Sequence, residues 1–209
     1  MTFSLVKHNN NSLSAITSAG NLTQGKMTLI KTVSASNVSG VEFVHGSSDV
    51  ILDSTYPIYL FKFINIHPAT DNTHLQIYFS TNSGSGYSIA TQTTFVVAYH
   101  NEAGDATTLD YFTGSDAANQ TGGANMMNNT GNDNDQSGCM EFYLFNPSST
   151  TFLKNFIMTN QYSHQSDYSQ NHFVSGYANT TSSVNAVKWT YSSGNVDSAT
   201  VKLYGIKGS

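Results

Sequence analysis

Seven histidines, thirteen carboxylates and one cysteine are the side chains of this 209-residue chain with the clearest capacity for chemistry. His67, His74, His100, His164 and His172 would have to converge in space to hold a metal ion. None shows the His-x-His or i, i+4 spacing that zinc sites use, so each is expected as a polar surface or turn residue, as in Ile66-His67-Pro68. GNDNDQSG (131–138) alternates Asn132 and Asn134 with Asp133 and Asp135 in the manner of a calcium loop. Counted from Asp133, an EF-hand finds Gly138 at the sixth place but Leu144, not the required bidentate Glu, at the twelfth. A plain Asn/Asp turn is therefore expected, with a loose surface Ca²⁺ site as the alternative.

A glycosidase needs two carboxylates about 5 to 10 Å apart. Glu42, Glu102, Glu141 and ten Asp are available, but Glu42 and Glu141 fall in predicted strands with their side chains expected outward, and no pair stands out. Ser-Gly-Ser-Gly at 83–86 lacks the strand-to-helix context of a nucleophile elbow. Cys139 has no partner for an intrachain disulfide and is expected as a small buried residue between Gly138 and Met140. No enzyme is expected, and no catalytic, cofactor-binding or metal residue is nominated.

Composition narrows the function further. Charged residues are only 10% of the chain against 38% hydrophobic, so the polar surface must come from Ser, Thr, Asn, Gln and Tyr. All eight basic residues are Lys and the net charge is -5, which argues against nucleic acid as a partner, since its readers rely on Arg forks and basic patches. No stretch approaches the roughly 18 apolar residues of a membrane span. The opening MTFSLVKHNNNSLSAITSAG lacks a signal-peptide core, so assembly in a cytoplasm is expected. Twelve Tyr exceed what one core needs and suit a surface that is half apolar and half wet. Sugar stacking and a protein interface both use such a surface, and low charge with abundant Tyr favours the interface.

The elements that must position these residues are strands. Residues 1–26 scatter Phe3, Leu5, Val6, Leu13, Ile16 and Leu22 among Asn and Gly, too many apolar groups for a solvated tail and too irregular for a helix, and are expected to form an arm that packs on a neighbour. From Met27 onward, short apolar segments alternate with turn residues: 27–33, 39–46, 57–66, 74–81, 140–146, 152–164, 171–178, 183–191 and 199–206. In 57–66, Tyr59, Phe61 and Phe63 occupy one face and Ile58, Leu60, Ile64 and Ile66 the other, so this strand belongs mid-sandwich or under a subunit contact. The segment 94–105 fits a strand or a helical turn, and 114–138 reads as one long excursion with a short strand near Met126. About nine or ten strands and no capped helix predict an all-β antiparallel sandwich over 27–209, expected as a jelly roll.

The close of the chain, SSGNVDSATVKLYGIK (192–207), reads as a hairpin: Trp189 and Tyr191 end one strand, Gly194 and Asn195 supply positive φ, and Val201 and Leu203 face the core. Together with HPATDN (67–72), YHNEAGD (99–105), GNDNDQS (131–137), LFNPSST (144–150) and SGYANTTS (175–182), this unit resembles a family of virion structural proteins of tailed bacteriophages, especially those of cyanobacteria and other marine bacteria. The resemblance runs from about Met27 to the end, and residues 1–26 depart from it, since MTLIKT itself resembles a family start. It implies a β-sandwich module located in the virion. The first expectation is a capsid decoration (cement) protein, a homotrimer clamping the major capsid protein. The second is a tail-fibre or receptor-binding module that recognises host surface glycan through Tyr and Asn.

Overall fold

Leu75, Ile77 and Phe79 alternate with His74, Gln76 and Tyr78, and in the computed structural model, which describes residues 27–207, the first three are fully buried and the second three half-buried. This two-residue period is that of a strand with one face on a core. Twelve strands follow one another: β1 (Met27–Val38), β2 (Val41–Val44), β3 (Ile58–Pro68), β4 (Thr73–Ser80), β5 (Thr91–Asn101), β6 (Thr107–Tyr111), β7 (Ala124–Thr130), β8 (Gly138–Phe145), β9 (Lys154–His164), β10 (Tyr168–Ala178), β11 (Ala186–Tyr191) and β12 (Val196–Ile206). The expected arm, 1–26, lies outside the described residues.

Every pairing is antiparallel. The order β1-β12-β3-β8 forms one layer and β2-β11-β4-β7 the other. The chain changes layer at β1 to β2, β2 to β3, β3 to β4, β4 to β5, β6 to β7, β7 to β8, β10 to β11 and β11 to β12, and the two four-strand orders are those of a jelly roll. Beyond β8 the first layer continues through β9, β10, β5 and β6 to make eight strands. A single residue pair, Thr130↔His164, ties β7 to β9 where the smaller sheet meets this extension.

Inward side chains of both layers meet around Trp189, whose ring centroid lies 4.9 Å from Phe61, 5.1 Å from Phe63 and 5.5 Å from Phe142. Burying aromatic groups of this size contributes about 1.5–3 kcal/mol each.

Several expectations change. The closing unit is not a hairpin. β11 pairs with β2 and β4, while β12 pairs with β1 and β3, so Ser192–Asn195 carries the chain from one layer to the other. Gly194 does adopt φ +74, and a Cβ there would stand 2.1 Å from Thr70 Oγ1. Asn195 instead binds Asn37, its Nδ2 donating to Asn37 Oδ1 at 2.9 Å. Ile66 is not on the face of Ile64. Asn65, at φ 50, sits where the register slips against β8 and β12, so Ile66 turns into the core at 1% exposure while Ile64 stays 41% exposed. A bulge shifts side-chain parity in this way. The ambiguous 94–105 lies mainly in β5, the excursion contains the full strand β7, and β6 was not foreseen. Cys139 is exposed rather than buried, because inward Met140, Phe142 and Leu144 force Cys139, Glu141 and Tyr143 outward.

Candidate functional site

The eight-stranded layer outruns its four-stranded partner, and the inner face of the extension therefore meets the edge strand β7 across a cleft. Cross-strand register aligns the floor in rows. Asp110, Val97, His172 and Asn160 form one, and Thr108, Tyr99, Gln170 and Tyr162 the next. Asn101, Tyr168, His164 and Thr130 form the third. A cavity of about 270 Å³ opens here, lined by Val97 and Tyr99 from β5, Thr108 and Asp110 from β6, Phe112, Asn129 from β7, His164 from β9, and Tyr168 and Gln170 from β10.

Aromatic rings dominate one side of the cleft. Tyr168 stacks on Tyr99 at 5.2 Å and 21°, and on His164 at 5.0 Å and 14°. Tyr99 and Tyr168 are diagonal neighbours on adjacent strands, a distance that aromatic side chains span. The His164 Nδ1 accepts the Ser166 N–H at 3.1 Å, so the neutral ring carries its proton on Nε2, and burial lowers its pKa. Asn129 is held in the left-handed region at φ 48. Its N–H donates to His74 Nδ1 at 3.1 Å and its side-chain amide to Asn72 Oδ1 at 2.6 Å.

A buried polar network supports the floor. His172 is fully buried, contrary to the surface position expected of every histidine. It shares a face with Gln170 and a row with Asn160, whose Oδ1 accepts the His172 backbone N–H at 2.8 Å. Its Nδ1 donates to Met126 O at 3.1 Å, and its Nε2 accepts the Gln170 amide at 2.7 Å. Burial drives its pKa down to about 4, so the ring is neutral at physiological pH. Tyr162 reaches β7 from beneath: its hydroxyl donates to Asn128 O at 2.5 Å and accepts the Asn128 N–H at 3.1 Å. Burial raises the pKa of this phenol.

A second cleft of about 380 Å³ shares Tyr168 with the first and is lined also by His100, Glu102, Asp135 and Asp167. Among the described residues no lysine lines either cleft. The remaining sequence candidates lie apart. His67 faces Asp197 Oδ2 at 3.3 Å and Asp133 O at 3.2 Å beside the 131–137 turn. Glu42 points outward and bonds the Tyr87 hydroxyl, and Glu141 pairs with Lys62 at 2.8 Å on the outer face. Among the described residues no three His, Cys, Asp or Glu side chains gather as a metal-binding group.

The outer face of the larger sheet is the other notable surface. One row reads Leu29, Tyr204, Leu60, Tyr143, Ile157, Ser175 and Thr94 across seven strands. The adjacent row reads Thr32, Lys202, Lys62, Glu141, Thr159, Phe173, Val96 and Tyr111, so the Lys62–Glu141 ion pair shares this face with Phe173. Leu29 is 51% exposed, Ile157 54% and Phe173 57%. Ile157 and Phe173 are diagonal neighbours on β9 and β10, an exposed apolar pair on the same face as half-buried Tyr143 and Tyr204.

Compared with protein-family models, curated proteins and solved structures, the chain matches none. Fold and surfaces together define an antiparallel jelly-roll module with one extended sheet, an outer face that exposes apolar groups beside an ion pair, and an aromatic cleft on the inner face of the extension.

Proposed function

We propose that this chain is a phage virion structural protein, and specifically a capsid decoration protein that binds the major capsid lattice as a homotrimer, after assembly in the host cytoplasm. The outer face of the eight-stranded sheet carries this reading: a layer exposing Leu29, Ile157 and Phe173 beside the Lys62–Glu141 pair is suited to being covered by protein. The low charge of the chain and its twelve Tyr are consistent with it. Mixing the purified protein with expanded capsids tests the proposal. Saturable binding at hundreds of copies per particle is expected, weakened at least about tenfold by Ile157→Ser combined with Phe173→Ser. Unchanged binding by that folded variant would remove the outer face from the contact, and a handful of copies would place the protein in the tail.

The aromatic cleft favours a second reading, a tail-fibre or receptor-binding module. Stacked Tyr99 and Tyr168 with Asp110, Asn129 and Gln170 around them are groups that recognise host surface glycan.

A further inference from the structure

We propose that the cleft between the β5–β6 and β9–β10 strands and the edge of β7 binds an uncharged saccharide unit and rejects acidic sugars. This inference rests on the glycan-recognition reading and adds to it the site and the chemical class of the ligand.

Ring surface and hydrogen-bonding groups come together there from five elements. Phe112, 40% exposed, and half-buried Tyr99 offer apolar ring area against which the C–H face of a pyranose packs. The polar groups around them keep unused capacity among the described residues. Asp110 spends Oδ1 on the Tyr111 N–H at 2.8 Å and leaves Oδ2 unpartnered. Gln170, only 5% exposed, donates its amide to His172 and leaves Oε1 without a protein partner. His164, whose Nδ1 is occupied, presents Nε2–H as a donor. Sugar hydroxyls donate and accept at once, so two oxygen acceptors and one N–H donor around a ring-lined cavity satisfy them. The cavity of about 270 Å³ lies just below the range of drug-sized ligand sites and suits one sugar unit rather than a long segment.

Charge selects the class of sugar. Asp110 lines the cleft itself, and Glu102, Asp135 and Asp167 line its neighbour across Tyr168, with no lysine in either among the described residues. A uronate or sialate entering this space meets carboxylates and, among the described residues, no lysine to pair with, a juxtaposition that lowers affinity. Neutral hexoses and N-acetylated amino sugars carry no such penalty.

The experiment uses the full chain and saturation-transfer NMR with isothermal titration. The neutral probes are maltotriose, cellotriose, lactose and N,N′-diacetylchitobiose, and the acidic probes are digalacturonate and 3′-sialyllactose. At least one neutral probe is expected to bind with a Kd no weaker than about 10 mM, and the acidic probes at least about tenfold more weakly. Tyr99→Ala and Asp110→Asn should each weaken the neutral probe at least about tenfold. Asp110 is exposed, so its amide variant keeps the test decisive should the Tyr99 variant fail to fold. Binding of a neutral probe that folded Asp110→Asn leaves intact would move the site elsewhere while the glycan reading survives. Equal or better binding of an acidic probe would overturn the ligand class. No binding by any probe would overturn the glycan reading itself.

Discussion

Acidification should destabilise this protein through His172. The ring is fully buried, and in its neutral form both nitrogens are occupied, Nδ1 donating to Met126 O and Nε2 accepting from Gln170. Its pKa falls from 6.5 to about 4 on folding. The unfolded chain therefore binds a proton that the folded chain refuses between those values, so stability is intact above about pH 6.5 and declines as pH falls toward 4. Integrating the linkage gives a loss of about 2 kcal/mol at about pH 5 and about 3 kcal/mol near pH 4. His74 and His164 are also shifted down by burial and add in the same direction. Asp53 and Glu141, held low by Thr55 and Lys62, lose their contribution only below the ordinary carboxylate range. His172→Gln isolates the effect, since it keeps a polar group in the pocket but cannot titrate. Urea unfolding followed by fluorescence of the single, fully buried Trp189 measures both proteins across this range. The wild type should lose about 2 kcal/mol more than the variant between about pH 7.5 and 5. Parallel pH profiles for the two proteins would refute the assignment of His172 as the acid-sensitive group.

Two further substitutions probe the framework. Tyr162→Phe removes the hydroxyl that serves both the N–H and the carbonyl of buried Asn128, and should cost about 1–3 kcal/mol in urea unfolding with little change in the m-value. Gly205→Ala places a methyl group 2.3 Å from the Tyr56 ring, where overpacking is expected to lower stability by about 1–3 kcal/mol by the same measurement.

Much of the fold is legible in residue order. The period of two in His74–Phe79 states which side chains face inward, and Val201 and Leu203 obey the same rule. Side-chain parity holds along each strand except where a bulge breaks it. Cys139 follows from its inward neighbours Met140 and Phe142, whereas Ile66 could not be placed without knowing that Asn65 forms a bulge. β6, whose residues Thr107–Tyr111 are largely exposed at a sheet edge, carries too little apolar alternation to be seen. The cleft was less visible still. Tyr99 and Tyr168 are two of twelve tyrosines with no local pattern that links them, and Asp110, Phe112, Gln170 and Asn129 carry no motif.

By itself, the sequence determined the all-β character, the antiparallel sandwich class, and most strand positions, because the alternation of side chains across a pleat is a local property. Tertiary structure decided which strands pair, because an extended segment can hydrogen-bond to any partner that its register and inward face permit. The link Ser192–Asn195 suits a hairpin and a layer crossing equally by composition, and only the placement of β2 and β4 beside β11, and of β1 and β3 beside β12, distinguishes the two. That same non-local choice adds β9, β10, β5 and β6 to one layer, buries His172, and brings Tyr99, Asp110, Asn129 and Tyr168 to a single cleft.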